Sequence, residues 1–407
     1  MDSHGDQATR IATGKLDDIY ALTVALTDEY DNTLLLIVTD LTNANREITK
    51  KVRDAVYEQY GIPATNVMVA GTHNHSSIAW PVSSYEGKWD TSSNKAYTEE
   101  WLQGVMTSVA TAMEDRSVAT MEIGRTETQG LNFSRRYVDK NNKIVIGGGP
   151  KTELWWPEHY NTSNTLLNYY YIKDHESEAD PEIQMIRLVR ENEKDILLTQ
   201  WQNHACYISG SQSNPDHFKI SAEWPGVMRE KVEEELDVHC IYFQGASANL
   251  SEKSRIPGET KTSTYVEHGE TLAQYVIDAY KTSGKFTSVK TGTIKTKQAQ
   301  ISLEQGTHQG TWTKPYNPQL NTMSIGDIAL VTLPQELFDI SGKPIKANTA
   351  HKMTIIMGYS DCSAGYLAPA EFVPNGGYEV YNTPYRADGS AEKIVEHYLN
   401  ALQKIAR

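Results

Sequence analysis

The chain has 407 residues, of which 39% are hydrophobic and 22% charged, so it can bury one large core or two ordinary ones. Its net charge of -14 argues against a nucleic-acid partner, because a phosphate backbone requires a positive surface. No apolar run approaches the roughly 20 residues of a membrane span, so no transmembrane segment is expected.

The start of the chain lacks the basic and apolar regions of a signal peptide. This predicts a cytoplasmic protein, or a secreted or periplasmic one whose signal has been removed. The cysteines form neither a closely spaced pair nor a disulfide framework, and Cys206, Cys240 and Cys362 are each interpreted as small buried apolar residues. The composition gives no prediction of the oligomeric state.

Taken in chain order, apolar runs and helical periodicity alternate. The sequence predicts strands over residues 16–27, 33–40, 67–71, 118–125, 183–189, 196–202, 239–243 and 353–358, two strands within 289–303 and a pair within 323–333. It predicts helices that follow Asn45, span 97–115, begin near 221, lie within 259–284, end near 347 and span 391–406. This rhythm indicates an α/β fold, with a mixed β-sheet core of two packed sheets covered by helices.

Two histidines follow the buried run Val67 to Ala70, after a break at Gly71. In an extended backbone, residues i and i+2 point the same way, so His73 and His75 can face one cleft at the end of a strand. A pair of imidazoles there suits a transition metal, or one ligand beside one proton-transfer group. The alternative is a pair of surface loop histidines.

Further polar residues also follow apolar strands, namely His204, Glu336 and Tyr366. Residues just past the ends of strands in one sheet can converge, so a metal site at the strand ends is one interpretation. Two neutral imidazoles and a carboxylate form a familiar zinc set that leaves a position for water. Polar residues also follow strands without binding anything, and the spacing alone does not decide between the two.

Other segments allow two interpretations each. Arg135 and Arg136 form either a solvated pair or an anion clamp. The loops 76–96 and 138–182 are rich in tryptophan and tyrosine, and form either a substrate-binding wall or a surface insertion. Gly245 and the small residues after it would let a ligand approach the backbone closely.

In several motifs the chain resembles the N-terminal catalytic domain of the neutral (non-lysosomal) ceramidases and bacterial ceramidase-like hydrolases. Gly71 to Ser76 reads like the family's GTHxHS, and Leu333 to Glu336 like its LPGE. The other matching segments are His204, Gln244 to Ala246, Asn249 to Ser251, Gly365 to Leu367, and Gly377 to Glu379. Order and spacing agree over roughly residues 16–390.

The resemblance implies a single catalytic domain over 1–407 that binds one Zn²⁺ ion through His73, His204, Glu336 and Tyr366. It also implies that His75, Tyr378 and one arginine of the pair Arg135 and Arg136, with Arg135 preferred, surround the reacting carbonyl. Ser251 matches the family's serine, and we interpret it as a substrate contact, with a nucleophilic role left open.

The implied function is a zinc-dependent hydrolase that cleaves a linear N-acyl amide with a metal-activated water, as in sphingolipid metabolism. The substrate would be ceramide-like, or a smaller N-acyl compound.

The chain departs from the family pattern at several points. Asn249 and Glu252 replace an aspartate and a proline, and Glu223 stands where aspartate is usual. The family's C-terminal immunoglobulin-like domain and much of its first strand are missing. Three alternatives therefore stay open: a zinc hydrolase of a polar ester, lactone or acyl-sugar; a non-catalytic lipid- or glycan-binding relative; and a fold without metal.

Overall fold

The structure is a computed structural model that describes residues 12–78, 92–140, 144–146, 172–210, 214–303, 317–361, 365–375, 377–381 and 389–406. Several sequence predictions lie outside these ranges. They concern Cys362, the tryptophans of the 76–96 loop, and the glycine and aromatic clusters between 147 and 171.

The strands are numbered in chain order. They are β1 (Gly14–Lys15), β2 (Ala21–Thr27), β3 (Thr33–Thr39), β4 (Val67–Gly71), β5 (Ala119–Glu127), β6 (Phe133–Ser134), β7 (Arg136–Asp139), β8 (Ile144–Ile146), β9 (Ile172–His175), β10 (Glu182–Arg190), β11 (Ile196–Trp201), β12 (Lys219–Ile220), β13 (His239–Gln244), β14 (Leu250–Ser251), β15 (Phe286–Ser288), β16 (Ile294–Gln300), β17 (Gln319–Ile325), β18 (Ile328–Leu333), β19 (Glu336–Leu337), β20 (Met353–Gly358) and β21 (Tyr366–Leu367).

The helices are numbered in the same way. They are α1 (Arg46–Tyr60), α2 (Ser92–Glu114), α3 (Glu223–Leu236), α4 (Tyr265–Lys281), α5 (Asp339–Lys346), α6 (Tyr378–Tyr381) and α7 (Ser390–Ile405). None of the helices in the described ranges is both long and apolar enough to cross a membrane.

Three sheets make up the centre of the fold. One has the order β13-β11-β10-β5-β15, a second β16-β17-β18-β20 and a third β2-β3-β4, and each contains both parallel and antiparallel pairs. The third joins the second edge to edge, because Ala70 forms a bridge with Ser360 and the Asp361 amide donates to the Val69 carbonyl at 3.0 Å. The second and third sheets thus form one extended surface.

The main core lies between this surface and the five-stranded sheet. Alternate residues of β3 divide between two clusters: Leu34 and Leu36 face the strands of the opposite sheet, whereas Leu35 and Ile37 face α1 and α2. The same alternation of period two places α3 and α4 on the outer face of the five-stranded sheet, and α7 on the outer face of β17 and β18. The predicted pair of packed mixed sheets covered by helices is confirmed.

Local sequence explains how the first helix is delimited. The Asn45 side chain accepts a hydrogen bond from the Ile48 amide at 3.0 Å, and Gly61 ends α1 in the left-handed conformation at φ 68°. Since α1 returns the chain to the edge of β3, β4 can pair with β3 in parallel and carry the next residues to the same end of the sheet.

Four expectations need correction. The first strand begins at Ala21 rather than at residue 16, and α2 begins at Ser92, inside the region predicted as a loop. Within the described part of 289–303 there is one strand, β16, not two. Cys206 is only partly buried, and its thiol donates to Glu252 Oε2 at 3.5 Å, so it is not simply an apolar residue.

Candidate metal centre

Three histidine side chains meet at one end of the sheets. His73 and His75 follow β4, at the edge of the β2-β3-β4 sheet. His204 follows β11, the second strand of the five-stranded sheet. Their ligand nitrogens all lie within 4.8 Å of one another, and the Nε2 atoms of His73 and His75 are 3.1 Å apart. The described residues therefore contain a group that could hold a metal ion.

A tight turn delivers the two histidines after β4. A Cβ on Gly71 would lie 2.6 Å from the Leu41 carbonyl oxygen, so only glycine fits this backbone approach. The Asn74 side-chain Nδ2 donates to the carbonyls of Asp40 and Ser221, and the His75 backbone amide donates to the Ala205 carbonyl at 2.9 Å. These bonds tie the turn to the segment that carries His204.

The orientation of His73 is fixed by two contacts. Its Nδ1 lies 3.0 Å from the Thr42 carbonyl oxygen, which can only accept, so Nδ1 carries the proton and Nε2 keeps its lone pair for a ligand. The ring stacks on Tyr359 with centroids 3.6 Å apart. His73 itself has a left-handed backbone with φ 60°, an uncommon conformation that packing must hold in place.

Glu336 reaches the same point from the sheet that contains β18. Its Oε2 lies 3.5 Å from His73 Nε2 and 3.9 Å from His204 Nε2. This oxygen is buried and has no hydrogen-bond partner among the described residues, which is unusual for a carboxylate. Tyr366 is its parallel register partner in the short β19–β21 pair.

Arg135 lies beside these groups. Its Nη1 is 3.4 Å from His204 Nε2, and its Nη2 donates to the Tyr366 hydroxyl at 3.2 Å. The Tyr378 ring is 5.5 Å from the guanidinium carbon and packs edge-on against Tyr366. Of the two adjacent arginines, Arg135 faces the candidate site, while Arg136 is fully buried between Phe338 and Phe372.

Ser251 lies in the strand next to Arg135. β14 pairs with β6, which places Ser251 opposite Phe133, and the Arg135 amide donates to the Asn249 carbonyl at 2.8 Å. The Ser251 hydroxyl accepts a hydrogen bond from the Lys253 amide at 3.3 Å. Within the described residues it makes no hydrogen bond with a histidine.

The departures from the family motif have structural roles. Asn249 donates to Asp339 Oδ1 at 2.8 Å and accepts from the Asp339 amide at 3.0 Å, an exchange that requires an amide rather than a carboxylate. Glu252 accepts from the Cys206 amide at 2.6 Å. Glu223 accepts from the Ile208 amide at 2.7 Å, so the two carboxyl groups together hold the segment that follows His204.

Burial controls the charge of the site. It lowers the pKa of His73 to about 3, and it also lowers the pKa values of His75 and His204 well below their usual range. The adjacent Arg135 guanidinium lowers the pKa of His204 further. Burial raises the pKa of Glu336 to about 7, although Arg135 acts in the opposite direction. The imidazoles are therefore neutral, which is the form that binds metal.

Comparisons with known proteins identify the fold. No family model matches the sequence, and no curated protein matches it. Among solved structures, one described as ceramidase complexed with C2 superposes with a TM-score of 0.71 at 14% identity, over 98% of this chain and 71% of its own. The neutral ceramidase from Pseudomonas aeruginosa superposes with a TM-score of 0.68 at 14% identity, over 94% of this chain and 68% of its own. The chain has the fold of the bacterial neutral ceramidases.

The ceramidase fold brings together most of the residues predicted from sequence. His73, His75, His204, Glu336, Tyr366, Arg135 and Tyr378 form one contact network, with Ser251 on the strand beside Arg135. Their individual roles stay predictions. Sequence reasoning missed Tyr359 and the structural roles of Glu223 and Glu379. The only signal for Glu379 was its place after Tyr378 in a matching motif.

Proposed function

We propose that the protein is a zinc-dependent hydrolase that cleaves an N-acyl amide bond. The observation that supports this most is the meeting of three neutral imidazoles with the Glu336 carboxylate, whose buried Oε2 has no hydrogen-bond partner among the described residues, on a ceramidase fold. The lipid character of the substrate rests on analogy with the ceramidases, so we propose the N-acyl linkage first and a long acyl chain second.

The donor set fits a zinc ion. Donor atoms of a tetrahedral zinc site lie about 2.1 Å from the ion and hence about 3.4 Å from one another. The oxygen–nitrogen distances of 3.5 and 3.9 Å from Glu336 to His73 and His204 are close to that spacing. Imidazole and carboxylate ligands in this number suit zinc better than magnesium or calcium, which prefer oxygen alone.

We assign His73, His204, Glu336 and Tyr366 as the ligands, with His75 beside them. A zinc ion bound there would act as a Lewis acid on the substrate carbonyl and make water nucleophilic near neutral pH. The alternative uses all three histidines as ligands, since their nitrogens also lie close enough together. Substitution at His75 separates the two assignments.

The remaining side chains would act on the substrate directly. The Arg135 guanidinium and the Tyr378 hydroxyl would stabilise negative charge that develops on the carbonyl oxygen, a role for which fixed donors are effective in a buried site. Burial lowers the pKa of His75, so its imidazole is neutral, and it would pass a proton from the attacking water to the leaving nitrogen. Ser251 would contact the substrate.

The test combines metal analysis with a substrate panel. We expect the purified protein to contain zinc and to hydrolyse some of a set made of ceramides, short N-acyl amides, acyl-sugars and esters. His73→Ala should remove both zinc and turnover, because it deletes a ligand. His75→Ala should keep zinc and lose turnover by about 100-fold or more, as expected for loss of a proton-transfer group.

His239 is exposed and lies opposite Ile196 at the start of β11, whereas His204 follows the end of that strand. His239→Ala is therefore the matched control and should change neither property. Turnover of an amide by metal-free His73→Ala would refute the proposal. Zinc loss in His75→Ala would favour the three-histidine assignment. Hydrolysis restricted to esters or acyl-sugars would replace the amide with that substrate class.

A further inference from the structure

A single buried carboxylate lies between the two adjacent arginines. The Glu379 side chain is 1% exposed, and its Oε1 accepts from Arg135 Nε at 2.6 Å while its Oε2 accepts from Arg136 Nη1 at 3.1 Å. Arg136 has a second acidic partner, Glu176. Glu379 therefore serves both arginines, whereas Glu176 pairs with Arg136.

The geometry of a guanidinium group makes the contact at Nε decisive. The group is planar and rigid, so fixing one edge by a charge-assisted hydrogen bond fixes the direction of the other nitrogens. With Nε of Arg135 held by Glu379, Nη1 points to His204 Nε2 at 3.4 Å and Nη2 to the Tyr366 hydroxyl at 3.2 Å. Glu379 thus determines that the Nη1 and Nη2 atoms of Arg135 point toward the candidate site.

The charge of Glu379 matters as well as its position. Arg135 places a cation against His204 Nε2, and an uncompensated cation there would oppose the binding of a metal ion. The carboxylate in direct contact with Arg135 offsets that charge inside a buried site, where screening by water is weak. Removal of the negative charge should therefore weaken metal binding even if the shape of the side chain is kept.

The helix that carries Glu379 also carries Tyr378. The four residues of α6, Tyr378–Tyr381, deliver the carboxylate to Arg135 and the Tyr378 ring to the edge of Tyr366. A shift of this helix would move both the phenol and the partner of Arg135. The pairing thus connects the segment around residue 378 to a residue more than two hundred positions earlier in the chain.

We propose that Glu379 is a positioning residue that sets the direction and the net charge of Arg135 at the metal centre. The proposal rests on the proposed function for its catalytic meaning, but its structural part does not depend on turnover. The competing explanation is that Glu379 only neutralises the buried Arg136 and stabilises the fold.

The matched variants are Glu379→Gln and Glu176→Gln. Both remove one negative charge next to Arg136, but only the first removes the partner of Arg135. We expect Glu379→Gln to weaken zinc binding by about 10- to 100-fold, as seen for groups that orient metal ligands. Its kcat should fall at least tenfold with KM changed less than twofold, and Glu176→Gln should stay within twofold of the wild type in both measurements.

A double-mutant cycle tests whether the effect passes through Arg135. In an Arg135→Met background, Glu379→Gln should change zinc affinity by less than twofold, because there is no guanidinium left to orient. Equal losses of zinc affinity in Glu379→Gln and Glu176→Gln, or an undiminished effect in the Arg135→Met background, would overturn the proposal.

A crystal structure of metal-free Glu379→Gln separates this proposal from the proposed function. We expect Arg135 to leave the Tyr366 hydroxyl and His204 Nε2 in that variant, with both distances above 4 Å. Distances unchanged from 3.2 and 3.4 Å would overturn the positioning role, whatever the enzyme does. Failure of the wild type to bind zinc would instead refute the proposed function, and the displacement of Arg135 would still decide this one.

Discussion

Replacement of Glu223 by glutamine should change how the stability of the protein depends on pH. Glu223 is fully buried at the start of α3 with a left-handed backbone, φ 57°, and accepts hydrogen bonds from the Ile208 amide and the Ser76 hydroxyl. Burial, and next the charge of nearby Glu252, raise the pKa of Glu223 from 4.5 to about 8. The folded protein therefore keeps a proton on this carboxyl at neutral pH.

The direction of the effect follows from proton binding. Below the unfolded-state pKa both states are protonated, and Glu223 has no influence on the pH dependence. Above it, only the folded state holds the proton, so stability falls as the pH rises until the folded-state pKa is passed. Between pH 5.5 and 8.5 the loss should be about 3 kcal/mol, at 1.36 kcal/mol for each pH unit over which the two states differ.

Glutamine has the shape of the protonated carboxyl and cannot ionise. We therefore expect the excess of Glu223→Gln over the wild type in free energy of unfolding to grow by about 3 kcal/mol between pH 5.5 and pH 8.5. Urea denaturation followed by circular dichroism at both pH values measures this. Glu234→Gln, an exposed carboxylate on the same helix, is the control. Parallel pH profiles for wild type and Glu223→Gln would refute the reasoning.

Three further substitutions test the architecture around the candidate site. Gly71→Ala should lower the free energy of unfolding by about 1–3 kcal/mol in thermal denaturation, because the added Cβ would overlap the backbone at the end of β3. Arg229→Met should cost about 3–5 kcal/mol, since it leaves Asp40 buried without the two 2.7 Å hydrogen bonds that pair it. Asn249→Asp should lower the free energy of unfolding by roughly 2 kcal/mol at pH 7, and by less at pH 5, because the new carboxylate would lie against the carboxylate of Asp339.

Each of these has a result that would contradict it. A fully stable Gly71→Ala protein would mean that the backbone contact is looser than 2.6 Å. An Arg229→Met protein as stable as the wild type would mean that Asp40 finds another donor. For Asn249→Asp, a destabilisation that does not ease on acidification would show that lost hydrogen bonding, rather than charge, is the cause.

Local patterns were sufficient to predict much of the fold. The cap at Asn45, the helical spacing that follows it and the apolar run before Gly71 gave α1 and β4 close to their observed bounds. His204 and Glu336 each follow a strand, and this position predicted that their side chains would lie close together, because the ends of neighbouring strands meet at one edge of a sheet. In the structure His204 Nε2 lies 3.9 Å from Glu336 Oε2. Local signals of this kind depend on nearby residues alone.

Other features depend on partners that the sequence does not show. Glu379 gives no sign of its pairing with Arg135, and Glu223 gives none of its burial, because both depend on segments brought together only by the fold. Residues 289–303 were expected to hold two strands, yet β16 is a single edge strand whose alternate lysines, Lys295 and Lys297, face outward. Edge strands carry a weak apolar signal, so their limits are hard to set.

The candidate ligands come from all three central sheets: His73 follows the β2-β3-β4 sheet, His204 the five-stranded sheet and Glu336 the sheet that contains β18. An ion coordinated by them would cross-link chain segments that are very distant in sequence, and closing such long loops restricts the unfolded chain most. Loading with metal should then slow digestion by proteases throughout the molecule and not only near the histidines, because no sheet could open without releasing the ion.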